Sequence, residues 1–172
     1  MTVADAIAVF LAEKGVSHVF TIIGAGNASL LDAIARKAST EIVCCHHEAA
    51  AAMAATYWGR LRQSCGVAIV TTGAGSSNAI TGGLAANMDS APLMILSGNE
   101  PLRYLSGPKL RIAGVQGFYT QDAVKSFVKS ANMGDASRVR MGLLQRAWDE
   151  ALSVRPGAIW IDFPRDQFNA LV

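Results

Sequence analysis

The residues best equipped for chemistry lie in the stretch 41–59, EIVCCHHEAAAAMAATYWG. Glu48 falls where an apolar run hands over to an alanine-rich segment. A carboxylate at such a junction can exchange a proton or fix a ligand by a hydrogen bond. Its ordinary alternative is a first-turn glutamate favoured by the helix dipole. The flanking Cys45 and residues 49–52, all alanine, predict burial instead. A buried carboxylate needs a partner or its pKa rises, and a raised pKa suits proton exchange near neutral pH. His47 adjoins Glu48 and is a candidate for a chemical role, ahead of His46. The alternative for both histidines is that they cap the strand end.

Two glycine turns follow other strand-like runs, IIGAGN at 22–27 and TTGAGSSN at 71–78. Exposed amides at a helix start can accept a polar ligand. Neither turn completes a nucleotide fingerprint. Gly24 and Gly26 lack the third glycine, no acidic residue ends the next strand, and no Gly-Lys-Ser/Thr follows Gly75. Residues 44–48 look metal-like in composition, but adjacent strand residues point to opposite faces. No CxxC or His/Cys ligand spacing occurs, so no metal site is expected in this chain. The stretch 98–118 is rich in Gly, Pro and charge and reads as a long loop. Such loops are often functional, which makes Gln116 a candidate among Arg103, Lys109, Arg111, Tyr119 and Gln121.

The elements that must position these residues alternate between strand and helix. Thr2 is expected to cap a helix with Ile7, Phe10 and Leu11 on its apolar face. Strands are predicted at 16–23, 41–45, 66–70, 92–97, 123–128 and 158–162. Helices are predicted after a cap at Asn27, over 48–61, from Ser76 or Ser77 to 86, and over 135–152. Alternation of this kind predicts a doubly wound α/β fold, a mostly parallel six-stranded sheet with helices on both faces. In such sheets ligands collect beyond the carboxyl ends of the strands, where Glu48 and both glycine turns fall.

The chain has 172 residues, the size of a single domain. Apolar residues make up 51% and charged residues 16%, which predicts apolar surface covered by another chain. A net charge of +2, with no basic run, argues against nucleic acid. Three cysteines in or beside apolar runs read as reduced, buried thiols, which favours a cytoplasmic setting. No apolar run is long enough to span a membrane, and no basic leader precedes the first apolar pattern.

Taken together, VFTIIGAGN, HHEAAAAMAATYWGR, GVAIVTTGAGSSNAITGGLAANMDSAPLMILSGNEP and PGAIWIDFPRD resemble the N-terminal, pyrimidine-binding domain of thiamine-diphosphate enzymes. The nearest branch is the acetolactate-synthase-like group of 2-oxo acid decarboxylases and carboligases. The resemblance covers nearly the whole chain, so residues 1–172 are expected to form one pyrimidine-binding domain. It implies that Glu48 is the glutamate that hydrogen-bonds the cofactor's aminopyrimidine and favours its imino form. It places Ile23, Gly24, Ala25, Thr72, Gly75 and Asn78 against the cofactor, and Gln116 and His47 beside the substrate. Ile23 and Ala74 stand where the family commonly has proline, and Asn99-Glu100 replaces a glutamine-led run. These departures bear on substrate choice more than on the cofactor.

In this family a second domain with a Gly-Asp-Gly motif holds the diphosphate and Mg²⁺, and the motif does not occur here. The resemblance therefore implies half a site, completed by a partner subunit in a heterotetramer or larger assembly, or by further sequence. The expected reaction is decarboxylation of a 2-oxo acid, pyruvate first, with release or transfer of the acyl carbanion. Flavin occurs in some of the group and has no support in these residues. The competing expectation is a non-catalytic binding or regulatory module that keeps the fold, in which Glu48 would be dispensable.

Overall fold

The structure, a computed structural model, describes residues 1–105 and 116–172. Six parallel strands form one sheet in the order β2-β1-β3-β4-β6-β5. They are β1 (His18–Thr21), β2 (Glu41–Cys44), β3 (Gly66–Val70), β4 (Leu93–Asn99), β5 (Ser130–Met133) and β6 (Ala158–Pro164). The helices are α1 (Val3–Glu13), α2 (Ala28–Lys37), α3 (Glu48–Leu61), α4 (Ala74–Met88), α5 (Leu102–Leu105), α6 (Thr120–Val124), α7 (Ala136–Arg140) and α8 (Leu143–Leu152). One core packs α1, α2 and α8 on one face of the sheet through Ile7, Leu11, Leu30, Ile34, Leu144 and Trp148. A second packs α3, α4 and α6 on the other through Ala51, Ala55, Ala79 and Val124, with Trp160 of β6. The doubly wound expectation holds, and the sheet is entirely parallel among the described residues.

The sequence explains the layering. Every residue of β3, β4 and β6 is buried, as near-continuous apolar strands covered on both faces must be. Thr2 caps α1 by accepting the Asp5 amide at 3.1 Å, and the Asp5 carboxylate accepts the Thr2 amide in return. On α3 and α4 alanine and glycine lie where the helices meet, so the backbones approach closely: a Cβ on Gly82 would sit 3.2 Å from the Ala49 carbonyl. The chain leaves β1 toward β2 on one side and returns to β3 on the other. That reversal opens a crevice between the carboxyl ends of β1 and β3.

Several expectations need correction. The fifth strand is not at 123–128. Thr120–Val124 is a helical turn, and Val124 and Val128 pack together on the core four residues apart. The strand is Ser130–Met133, a half-buried edge strand with weak β preference, held in register by β6. The helix over 135–152 is two helices, broken at Gly142 with φ +83°. β2 is an edge strand, not a buried one: Cys44 is exposed and Cys45 half-buried, and of the three thiols Cys65 alone is buried. Asn27 stands at the N-cap position of α2 as expected but makes no side-chain capping bond, and the serines do not cap α4. Asn27 ties its own turn, and α4 starts at Ala74 after Gly73. Within the expected loop at 98–118, α5 forms, while Lys109 and Arg111 lie outside the described residues. Among the described residues no helix is long and apolar enough to cross a membrane.

Candidate active site

Glu48 opens α3 and is 8% exposed. His47 caps the helix: its Nδ1 accepts the Ala49 amide at 3.2 Å, with extended backbone at φ −156°. Capping therefore accounts for His47, and its ring lies exposed beside the site. Burial of the Glu48 carboxylate is met by a partner. Asn78, one turn into α4, donates from Nδ2 to Glu48 Oε2 at 3.0 Å. Oε1 lies beside Gly75, where an added Cβ would stand 3.2 Å away and 2.7 Å from Cγ2 of Thr71. Glycine keeps that approach open. Among the described residues no donor reaches Oε1.

The second group lines the crevice at the switch point. Gly24, Ala25 and Gly26 line a cleft of ≈ 370 Å³ together with Thr71, Thr72, Glu100, Gln116 and Arg165. The Gly26 amide donates to Thr71 Oγ1 at 3.0 Å, and Ser76 Oγ donates to the Thr71 carbonyl at 2.7 Å, so the two turns are pinned together. Asn27 accepts the Gly24 amide at 2.8 Å and donates to the Ile22 carbonyl at 3.0 Å, fixing the first turn from behind. Gly73 has φ +67°, and a side chain there would strike Gln116. Gln116 thus sits over the β3–α4 turn and borders both the cleft and a shallower hollow with Phe118.

Of the residues singled out from sequence, Glu48, Gly75 and Asn78 form one cluster. Gly24, Ala25, Thr72 and Gln116 share the cleft. Thr71 joins the two groups and had not been singled out, although it directly follows β3 beside Thr72. Ile23 is 65% exposed and stands outside the cleft lining. Arg165 was also missed, and Glu100 had been noted only as a departure from the family pattern. They meet only because β4 and β6 pair in register, and no local pattern marks them.

A buried polar network supports this end of the sheet. Ser97 Oγ donates to Asp162 Oδ1 at 2.5 Å, and Asn99 Nδ2 donates to Asp162 Oδ2 at 2.6 Å. Trp160 Nε1 donates to Ser97 Oγ at 2.8 Å, and Asn99 Nδ2 also reaches the Phe118 carbonyl at 2.9 Å. Burial pushes the Asp162 carboxyl up to about 6, against the lowering effect of its hydrogen bonds from Ser97, Asn99 and Thr120.

An open, doubly wound sheet with a glycine-lined cleft at its switch point and a buried, half-satisfied carboxylate beside it defines a ligand-binding α/β domain. Residues 1–127 match the model of the thiamine pyrophosphate enzyme N-terminal TPP-binding domain, and the chain belongs to that family. It is 30% identical over 166 residues to the acetolactate synthase large subunit of Haemophilus influenzae, covering 96% of this chain and 28% of that protein. To the isozyme 3 large subunit of Escherichia coli it is 32% identical over 159 residues, covering 92% of this chain and 27% of that protein. To the acetolactate synthase of Bacillus subtilis it is 45% identical over 89 residues, covering 52% and 15%. The chain thus spans little more than a quarter of the length of the first two relatives.

The residues present fit the family's cofactor on one side. Glu48 offers an acceptor oxygen that Asn78 leaves unused, next to a glycine that keeps the approach clear. Among the described residues Arg165 is the cation lining the cleft, with its Nη2 3.6 Å from Glu100 Oε2.

Proposed function

We propose that this chain is the pyrimidine-binding part of an acetolactate-synthase-like, thiamine-diphosphate-dependent 2-oxo acid decarboxylase or carboligase. A partner subunit with the Gly-Asp-Gly domain would hold the diphosphate and Mg²⁺. The observation that carries the reading is the Glu48 carboxylate, fixed through Oε2 by Asn78 and open at Oε1. When bound, thiamine diphosphate supplies the electron sink for cleaving the bond beside the keto carbon. Glu48 would hold a proton at Oε1 against the pyrimidine ring nitrogen. Asn78 keeps that oxygen from turning away. Gly24, Ala25, Thr72 and Gly75 would bound the cofactor, and Gln116 would face the 2-oxo acid, pyruvate first. His47 would act at most from the rim.

One feature favours a partner. An apolar stripe lies on α3: Met53, Tyr57 and Leu61 at four-residue spacing are 36%, 58% and 78% exposed, and on α4 Leu84 and Met88 are 40% and 70% exposed. A second chain covering this stripe would place its own domain next to α3, the helix that Glu48 opens. The assembly is then a heterotetramer or larger, in the cytoplasm.

The test is capture of the native complex followed by assay of thiamine-diphosphate- and Mg²⁺-dependent CO₂ release from pyruvate and other 2-oxo acids. A co-purifying Gly-Asp-Gly chain, with activity lost in Glu48→Gln, is the expected result. Full function in Glu48→Gln would overturn the reading in favour of a non-catalytic module.

A further inference from the structure

Glu100 has no part in the chemistry above, yet it is 7% exposed at the wall of the cleft. Acidic side chains are rarely so buried unless paired. Both of its oxygens are engaged, and by different segments. Oε1 accepts the Gln116 amide at 3.4 Å, and Oε2 faces Arg165 Nη2 at 3.6 Å. The side chain starts from a fixed backbone. The Glu100 amide donates to Asn99 Oδ1 at 2.8 Å, Asn99 is held by Asp162, and the Arg165 amide donates to the Asn99 carbonyl at 3.0 Å. Gln116 lies in no strand or helix, so this carboxylate ties it to the sheet end.

We propose that Glu100 is a positioning residue whose carboxylate clasps the Gln116 segment and the Arg165 side chain together, setting the substrate-facing wall of the cleft. Arg165 has five N–H donors in a rigid fork, more than one carboxylate oxygen can occupy. An entering 2-oxo acid then meets a guanidinium already oriented, with Gln116 beside it. The clasp is a property of this chain alone, and only its service to a substrate rests on the proposed function.

The test combines hydrogen–deuterium exchange on the full chain with kinetics of the complex. In Glu100→Ala the amides at 116–120 should exchange about tenfold faster, while β4 and β6 keep their protection. In Glu100→Gln a side-chain oxygen still accepts the Gln116 amide, so exchange there should stay close to wild type. The charge that orients Arg165 is gone, so KM for the 2-oxo acid should rise severalfold with kcat little changed. Unchanged exchange in Glu100→Ala overturns the clasp. Equal acceleration across β4 and β6 overturns it too, because Glu100 would then only support the core. A wild-type KM in Glu100→Gln removes the link to substrate. Selective exchange at 116–120 in a complex that turns over no 2-oxo acid would uphold the clasp and reject the proposed function.

Discussion

Asn78 Nδ2 donates to Glu48 Oε2 across 3.0 Å, joining α3 and α4 through two residues thirty apart in sequence. The bond leaves one oxygen of the carboxylate directed and unclaimed among the described residues. Replacing Glu48 by Gln keeps an acceptor for Asn78 but removes the ability to hold and release a proton. Activity of the complex should fall by about 10²-fold or more, with the thermal midpoint nearly unmoved. A parallel loss of folding would place Glu48 in the scaffold instead.

Asn78→Ala should act on the same oxygen from the other side. The Glu48 carboxylate would lose its partner while remaining buried, a cost of about 1–3 kcal/mol. Activity should fall less than in Glu48→Gln, and the double variant should be no worse than Glu48→Gln alone. Additive losses in that cycle would show that the two residues act separately.

Gly75→Ala tests the close approach. The new methyl would press on Thr71 and stand 3.2 Å from Glu48 Oε1. Overpacking of this kind should cost about 1–3 kcal/mol in urea unfolding. Cofactor binding should weaken at the same time. Wild-type stability and binding in the variant would mean that the turn gives way freely.

Asp162 gives a pH dependence with a definite sign. Its carboxyl keeps a proton up to about pH 6 in the native state, against 3.8 in the unfolded chain. Between those values the native state binds more protons. The stability contributed by Asp162 is therefore complete below pH 3.8 and is lost as pH rises through about 6. The span amounts to about 3 kcal/mol. Asp162→Asn should remove this decline in urea unfolding curves taken at intervals between pH 4 and 7. An unchanged slope would assign the effect to other groups.

The exposed stripe on α3 carries the partner prediction. Tyr57→Glu with Leu61→Glu should leave the isolated chain's stability within about 0.5 kcal/mol, because both side chains already face solvent. Capture of the Gly-Asp-Gly chain should be lost. Undiminished capture would move the interface elsewhere.

Much of this arrangement was legible in the residues. Continuous apolar runs marked β3, β4 and β6. Glu48 could be named because it sits at a strand–helix junction, while Gly75 and Asn78 were named through the family resemblance. The errors share a cause: tertiary pairing overrode local preference. Residues 123–128 have β-favouring side chains, yet the four-residue step from Val124 to Val128 suits a turn on the core, and β6 recruits the plainer Ser130–Met133. Apolar periodicity ran through Gly142, so the break there was invisible. Thr71, Glu100 and Arg165 gather at the cleft from three strand ends, and sequence spacing holds no trace of that meeting.

Residues 1–3 and 170–172 are stitched to each other. The Val3 amide donates to the Ala170 carbonyl at 2.9 Å, the Val172 amide to the Met1 carbonyl at 3.0 Å, and Thr2 bridges Leu171. Neither segment can peel from the domain without breaking the other's hydrogen bonds, so residues 1–3 and 170–172 should open and close as one unit.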